Sequence, residues 1–174
     1  MAYVLYLVRH AIAEVRGATA DADRQLTAEG ARRMRRVALG LKRLGVAPEL
    51  ILSSPLRRAE ETAAILVSVL APDLPIEIYP PLAPGNPIAE VISGLRQYRR
   101  AHHVLLVGHQ PSLGELASQL LTGSQSLLPL PFKKGGAAAI EVSTLAPRTA
   151  GTLSWFATAK QLRLMARGQR WSPP

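Results

Sequence analysis

The sequence predicts an α/β fold: a three-layer α/β/α sandwich with a mostly parallel central sheet, helices on both faces and an antiparallel C-terminal edge. Three observations lead there. Over the first two thirds, short apolar runs alternate with segments of helical period, the order that produces parallel strands joined by crossover helices. Two of the runs, Ala2 to Val8 and His103 to Gly108, are apolar almost throughout, as buried strands are. The stretches Gly136 to Val142 and Leu153 to Ala157 read as strands with only a turn between them, which suits an antiparallel pair at a sheet edge.

The chain has 174 residues, enough for one domain with a real core, and no internal repeat or linker divides it, so residues 1–174 are read as a single domain. It contains no cysteine, which removes disulfides, thiol nucleophiles and thiolate metal sites. The start Met-Ala-Tyr-Val-Leu has no charged leader, and no apolar run approaches the roughly 20 residues that span a bilayer, so the expectation is a cytoplasmic protein without a membrane partner. The formal charge of +9 favours anionic partners.

The first strand ends abruptly in Arg9-His10, and on this stretch alone the pair reads equally well as a strand meeting water or as an oxyanion site. Ala11 to Gln25 has no period and forms a loop. Thr27 caps a helix with Glu29 in its first turn, Gly45 closes it, and Met34, Val37, Ala38, Leu41 and Leu44 form its core face. Arg32, Arg33, Arg35, Arg36, Lys42 and Arg43 occupy the other side.

Glu49 to Ser53 is a short strand. Ser54-Pro55 is expected to cap and start a second helix, whose stripe is Leu56, Ala59, Ala63, Leu66 and Leu70. Pro72 and Pro75 end it, Ile76 to Tyr79 is a strand, and the proline-rich Pro80 to Pro87 is a loop. A third helix follows over Ile88 to Tyr98. The strand His103 to Gly108 leads through His109-Gln-Pro-Ser112 into a fourth helix, Ser112 to Leu121. The end, Lys160 to Arg170, is basic and amphipathic.

Two strands thus end in histidine, and a third in Ser53-Ser54 with Arg57 and Arg58 just beyond. In open parallel sheets the carboxyl ends of the strands line one crevice, where ligands bind. Two imidazoles, at least two guanidinium groups and two helix N-termini would meet there, a set that suits a phosphoryl group. A neutral imidazole can attack phosphorus, and neighbouring guanidinium groups help keep it neutral.

These residues stand in an order that resembles the histidine phosphatase superfamily, in its compact SixA-like branch of bacterial phosphohistidine phosphatases. The matching segments are Leu7-Val-Arg-His-Ala11, Arg24-Gln-Leu-Thr27, Ser53-Ser-Pro-Leu-Arg-Arg-Ala-Glu-Glu-Thr62 and Val107-Gly-His-Gln-Pro111, which together span most of the chain. The resemblance implies a phosphoglycerate mutase-like fold with His10 as nucleophile, Arg9 and Arg58 as phosphate clamps and His109 as the second, phosphate-binding histidine. Arg58 is chosen over Arg57 because Ala59 follows it directly, and Thr62 shares its helix face.

The departure concerns the general acid. Larger members of the superfamily carry a glutamate in an inserted segment, and the corresponding Tyr79 to Glu90 is short and rich in proline. Glu14, Asp21 and Asp23, in the loop after His10, are the candidates that remain, each also readable as structural or solvated. A phosphohistidine substrate eases the difficulty, because its imidazole leaves partly protonated near neutral pH. The short segment also implies an open cleft, suited to a phosphorylated side chain on a protein, and the basic face of the first helix could help capture an acidic phosphoprotein.

The reading is a metal-independent phosphohistidine phosphatase that needs no cofactor. Its alternatives are a phosphomonoesterase acting on a small metabolite or phosphoserine and, in another class, a non-catalytic polyanion-binding module. Nucleic acid is disfavoured as a ligand, because the basic residues lack interleaved aromatics. His103 and His109 lie about 20 Å apart on an extended strand and cannot share a metal. Trp155 and Trp171 read as packing residues.

Overall fold

The computed structural model describes residues 2–15, 17, 20–147 and 150–168. Four parallel strands form the body of one sheet: β1 (Tyr3–Arg9), β2 (Leu50–Ser53), β3 (Ile76–Ile78) and β4 (His103–Gly108). Two more, β5 (Ala137–Val142) and β6 (Thr152–Ala157), add the antiparallel edge that the sequence predicts, and the strand order is β3-β2-β4-β1-β5-β6. The chain therefore leaves β1, skips one position to make β2 and β3, and returns to insert β4 beside β1. That insertion creates a switch point at the carboxyl ends of β1 and β4.

The central strands are apolar on both faces because both faces are covered. Leu5 and Leu7 of β1 pack on one side with α3 (Ile88–Gly94) and α4 (Ser112–Thr122). Tyr6 and Val8 pack on the other with α1 (Ala28–Arg43), α2 (Arg57–Leu70) and α5 (Ala159–Ala166). The alternation is the period of two of a strand, and the result is the three-layer sandwich.

Helix α1 begins and ends as its sequence dictates. The Thr27 hydroxyl accepts from Gly30 N at 2.9 Å, and Met34, Val37, Ala38 and Leu41 are buried. At the other end Gly45, at φ +79°, takes the left-handed conformation, while Gly45 N and Val46 N donate to Lys42 O and Leu41 O. Leu44, expected in the core, is the C-cap residue and is 38% exposed.

The helical segments depart from expectation in several places. Helix α2 starts at Arg57, with Leu56 rather than Ser54 at its cap, because the Ser54 side chain is engaged elsewhere. The expected third helix divides into α3 and a 3-10 turn over Leu95–Tyr98, and the proline-rich loop holds a second such turn, Pro80–Leu82.

The C-terminal basic segment forms α5 over Ala159–Ala166, opened by a capping box between Thr158 and Gln161 and anchored by the fully buried Leu162. It lies close against α1: a Cβ placed on Gly40 would stand 2.0 Å from Leu162 O, so only glycine permits this approach. The end of that segment, with Arg170, and Trp171 lie outside the described residues. Among the described residues no helix is long and apolar enough to cross a membrane.

Candidate active site

Strands β1 and β4 are paired in register so that Arg9 lies opposite Gly108, and each strand ends one residue before its histidine. The backbone continues the match, with His10 N donating to Gly108 O at 3.0 Å. The two imidazoles consequently meet, their ring centroids 5.0 Å apart at 51°. Strand β2 lies on the other side of β4, so Ser54 and the start of α2 reach the same spot.

His10 is 5% exposed, and its Nδ1 lies 2.7 Å from Ala11 O. A carbonyl oxygen only accepts, so the proton sits on Nδ1 and Nε2 carries the lone pair. Thr62 holds that arrangement from below. Its hydroxyl accepts from Ala11 N at 3.0 Å and donates to Arg58 O at 2.6 Å, tying the loop after β1 to the first turns of α2.

His109 is equally buried, with Nε2 2.7 Å from Ser54 Oγ. Ser54 Oγ also accepts a long hydrogen bond from Leu56 N, which leaves its proton free to donate to Nε2. His109 Nδ1, which is buried and has no protein partner among the described residues, then carries the N–H.

The cations are held by fixed acceptors. Arg9 donates to Phe132 O at 2.7 Å. Arg58, 3% exposed, donates to Asp21 O at 2.6 Å and to Asp21 Oδ2 at 3.1 Å. Arg24 binds Asp21 Oδ1 from the other side at 2.8 Å and reaches Glu14 O at 2.8 Å. Asp21 is thus clasped between two guanidinium groups. Desolvation opposes its ionisation, but the charges and hydrogen bonds of Arg58 and Arg24 prevail and hold the carboxyl below its ordinary pKa.

The same surroundings keep both imidazoles neutral. Burial is the largest cause for His10, with Arg58, Arg9 and Lys134 adding to it against the Ala11 hydrogen bond, and its pKa falls to about 4. Burial likewise leads for His109, followed by His10 and Arg58, and brings it to about 3. Arg9 is also lowered, by burial first and then by Arg58.

A pocket of about 480 Å³ opens over this floor, and the four residues expected from the sequence (Arg9, His10, Arg58 and His109) all line it. Glu14 and Asp21 are there as well; Asp23 is exposed and does not line it. Arg57 pairs with Glu61 on the outer face of α2.

Three contributors went unread in the sequence. Ser54 looked like a helix cap, although its place directly after a strand end was a usable cue. Arg24 had a cue in the Arg-Gln-Leu-Thr segment. Lys134 had none, since it arrives from the loop before β5. His102 and His103 lie at the amino end of β4, against Tyr3 and Tyr6. Among the described residues no three His, Cys, Asp or Glu side chains are grouped to hold a metal ion.

An anionic tetrahedral group fits such a pocket, with cations around it and an unprotonated nitrogen at its floor. Comparison with known proteins agrees. The profile of the histidine phosphatase superfamily (branch 1) matches residues 5–83, which include Arg9, His10 and Arg58. An uncharacterised protein of Picosynechococcus sp. is 40% identical over 135 residues, covering 76% of this chain and 81% of the relative. The phosphohistidine phosphatase SixA of Escherichia coli K12 is 28% identical over 162 residues, covering 92% and 96%. The chain belongs to the histidine phosphatase superfamily.

The likeness extends past the profile to the whole fold. A solved structure of the protein histidine phosphatase SixA, complexed with tungstate, superposes on this histidine phosphatase with a TM-score of 0.79 at 28% identity, over 91% of this chain and 99% of that one. As a member of the superfamily with this fold, the protein is a phosphatase acting on phosphorylated substrates.

Proposed function

We propose that this phosphatase hydrolyses phosphohistidine on a protein, in the cytoplasm, without a metal, through a covalent phosphohistidine at His10. The observation that carries the reading is the pairing of an unprotonated His10 Nε2, fixed by Ala11 O, with a pocket whose inner carboxylate, Asp21, is committed to two arginines. Asp21 is held ionised between two arginines, and Glu14 sits at the exposed rim. The tungstate held by the similar SixA is itself a tetrahedral oxyanion, which suits a phosphoryl site.

In the first step the His10 Nε2 lone pair forms a bond to phosphorus as the P–N bond to the substrate imidazole breaks. The substrate ring carries a proton on the nitrogen not bonded to phosphorus, so it takes the electron pair of the P–N bond and departs as neutral imidazole. Arg9, Arg58 and the His109 Nδ1–H bind the equatorial oxygens and gain most at the transition state. In the second step water attacks phosphorus, His10 departs with the electron pair of its P–N bond as neutral imidazole, and inorganic phosphate leaves with both protons of the water.

Glu14 favours one other reading, a phosphomonoesterase in which it protonates an alkoxide leaving group, since it does line the pocket. A side-by-side rate comparison on a phosphohistidine protein, a phosphoserine peptide and a sugar phosphate, each with EDTA, separates the two. The expected result is preference for phosphohistidine with no effect of chelation, and preference for either ester overturns the proposal.

A further inference from the structure

Lys134 lines two pockets, the active-site pocket and a smaller cleft between the loop after β1 and the α1/α5 pair. Arg33 and Arg163 line that cleft as well. Arg163 also lines a third pocket, of about 190 Å³, where Arg36, Lys160 and Arg167 join it. A cationic track therefore runs from the catalytic pocket along the seam between the two helices. Among the described residues lining the third pocket there are four cations and no carboxylate.

This crowding is unfavourable in the free protein. Burial is the first cause that lowers the pKa of Arg163, and the like charges of Arg33, Arg36 and Arg167 add to it. The carboxylate that contributes in the other direction, Glu29, is already paired with Arg33. Folding forces the clustering, because Leu162 is the buried anchor of α5 and Gly40 lets α5 lie directly on α1. An anionic ligand would relieve the repulsion.

We propose that the α1/α5 seam is the docking track for an acidic polypeptide segment next to the phosphorylated side chain of the substrate protein. The inference rests on the phosphoprotein reading above and extends it to the substrate's flanking sequence. Continuity with the active-site pocket argues for a substrate segment over an unrelated ligand, since a chain whose phosphoryl group sits on His10 passes Lys134 and enters the seam. The residues lining the third pocket include no aromatic side chain on which a nucleic acid base could stack. Helix α5 spans about 12 Å, so the track accommodates roughly four extended residues.

The test uses two labelled peptides carrying a stable phosphonate analogue of phosphohistidine, one flanked by four Glu and one by four Gln, titrated by fluorescence anisotropy at low salt. Each exposed ion pair contributes a few-fold at most, so the Glu peptide is expected to bind roughly tenfold tighter. The triple variant Arg36→Glu, Lys160→Glu, Arg167→Glu should erase that preference while turning over a small aryl phosphate at the wild-type rate, which reports an intact fold and site. Equal binding of the two peptides to the wild type, or a preference that survives in the triple variant, overturns the docking proposal. So does a single-stranded RNA of equal charge that displaces the Glu peptide at lower concentration. Failure of the phosphohistidine reading shows separately: phosphoserine or sugar phosphate is then the better substrate, and the flank preference is read by binding regardless.

Discussion

The Ser54 hydroxyl lies 2.7 Å from His109 Nε2, a fully buried bond that joins the end of β2 to the end of β4 across the floor of the active site. It fixes the ring's orientation and, through its proton, places the N–H on His109 Nδ1. In the proposed mechanism Ser54 is thus a positioning residue that acts through His109.

Ser54→Ala should therefore lower kcat/KM by roughly ten- to a hundredfold, since the ring loses both tautomer and aim. It should also destabilise the fold by about 1–3 kcal/mol, because a buried ring nitrogen loses its partner. Ser54→Thr restores the hydroxyl and should recover much of the rate, which a loss caused by packing alone would not allow. Urea melts and steady-state rates on the wild type and the two variants check this.

His10→Ala should reduce turnover of an aryl phosphate by at least about a thousandfold, because it removes the proposed attacking lone pair. Acid quenching of the wild type during turnover should trap an acid-labile phosphoenzyme that is absent from the variant. Residual turnover within tenfold of wild type removes His10 from the nucleophile's place.

Both histidines make the protein sensitive to acid in a defined window. In the unfolded chain they titrate near 6.5, and in the folded protein at about 4 and about 3. Between those limits the unfolded chain binds more protons, so their contribution to stability is complete above pH 6.5 and declines as the pH falls toward 4 and 3. Urea midpoints should drop across that range. The acid limb of kcat/KM should lie near 4 instead of 6.5, and Arg58→Met, which removes one of the charges acting on His10, should move it upward.

Glu14→Gln discriminates between the two leaving-group chemistries. Phosphohistidine turnover should stay within about threefold of wild type, because the imidazole leaving group needs no strong acid. Turnover of an alkyl phosphate, if Glu14 is its proton donor, falls about a hundredfold, and a comparable fall with phosphohistidine contradicts the acid-free departure.

Gly40→Ala tests the packing that creates the seam. Alanine improves helix propensity by about 1 kcal/mol, yet its methyl would sit 2.0 Å from the Leu162 carbonyl oxygen. Backbone cannot yield to that extent, so the clash should prevail, with a net loss of about 1–3 kcal/mol in a urea melt.

Much of this protein is legible in its sequence. The apolar runs ending at Arg9-His10 and Gly108-His109, the 3.6-residue period of α1 and its Thr27 and Gly45 boundaries all express local rules, in which a residue's neighbours along the chain decide its state. The same locality explains why Arg9, His10, Arg58 and His109, which line the pocket, stand out in the sequence: each stands next to a strand end or in a first helical turn. Where a side chain had two local options, the sequence did not choose between them. Ser54 could cap α2 or leave it, and only the histidine arriving from β4, 55 positions later, resolves the choice.

The tertiary structure alone decided which strand ends become neighbours. The fold places β4 between β1 and β2, brings the histidines to 5.0 Å, clasps Asp21 between Arg24 and Arg58, and carries Lys134 to the pocket. It also lays α5 on α1, turning two ordinary basic helix faces into one cationic track. The physical reason is that strand order and helix docking are set by burial summed over the whole chain, whereas a strand's existence and a helix's caps are set within a few residues.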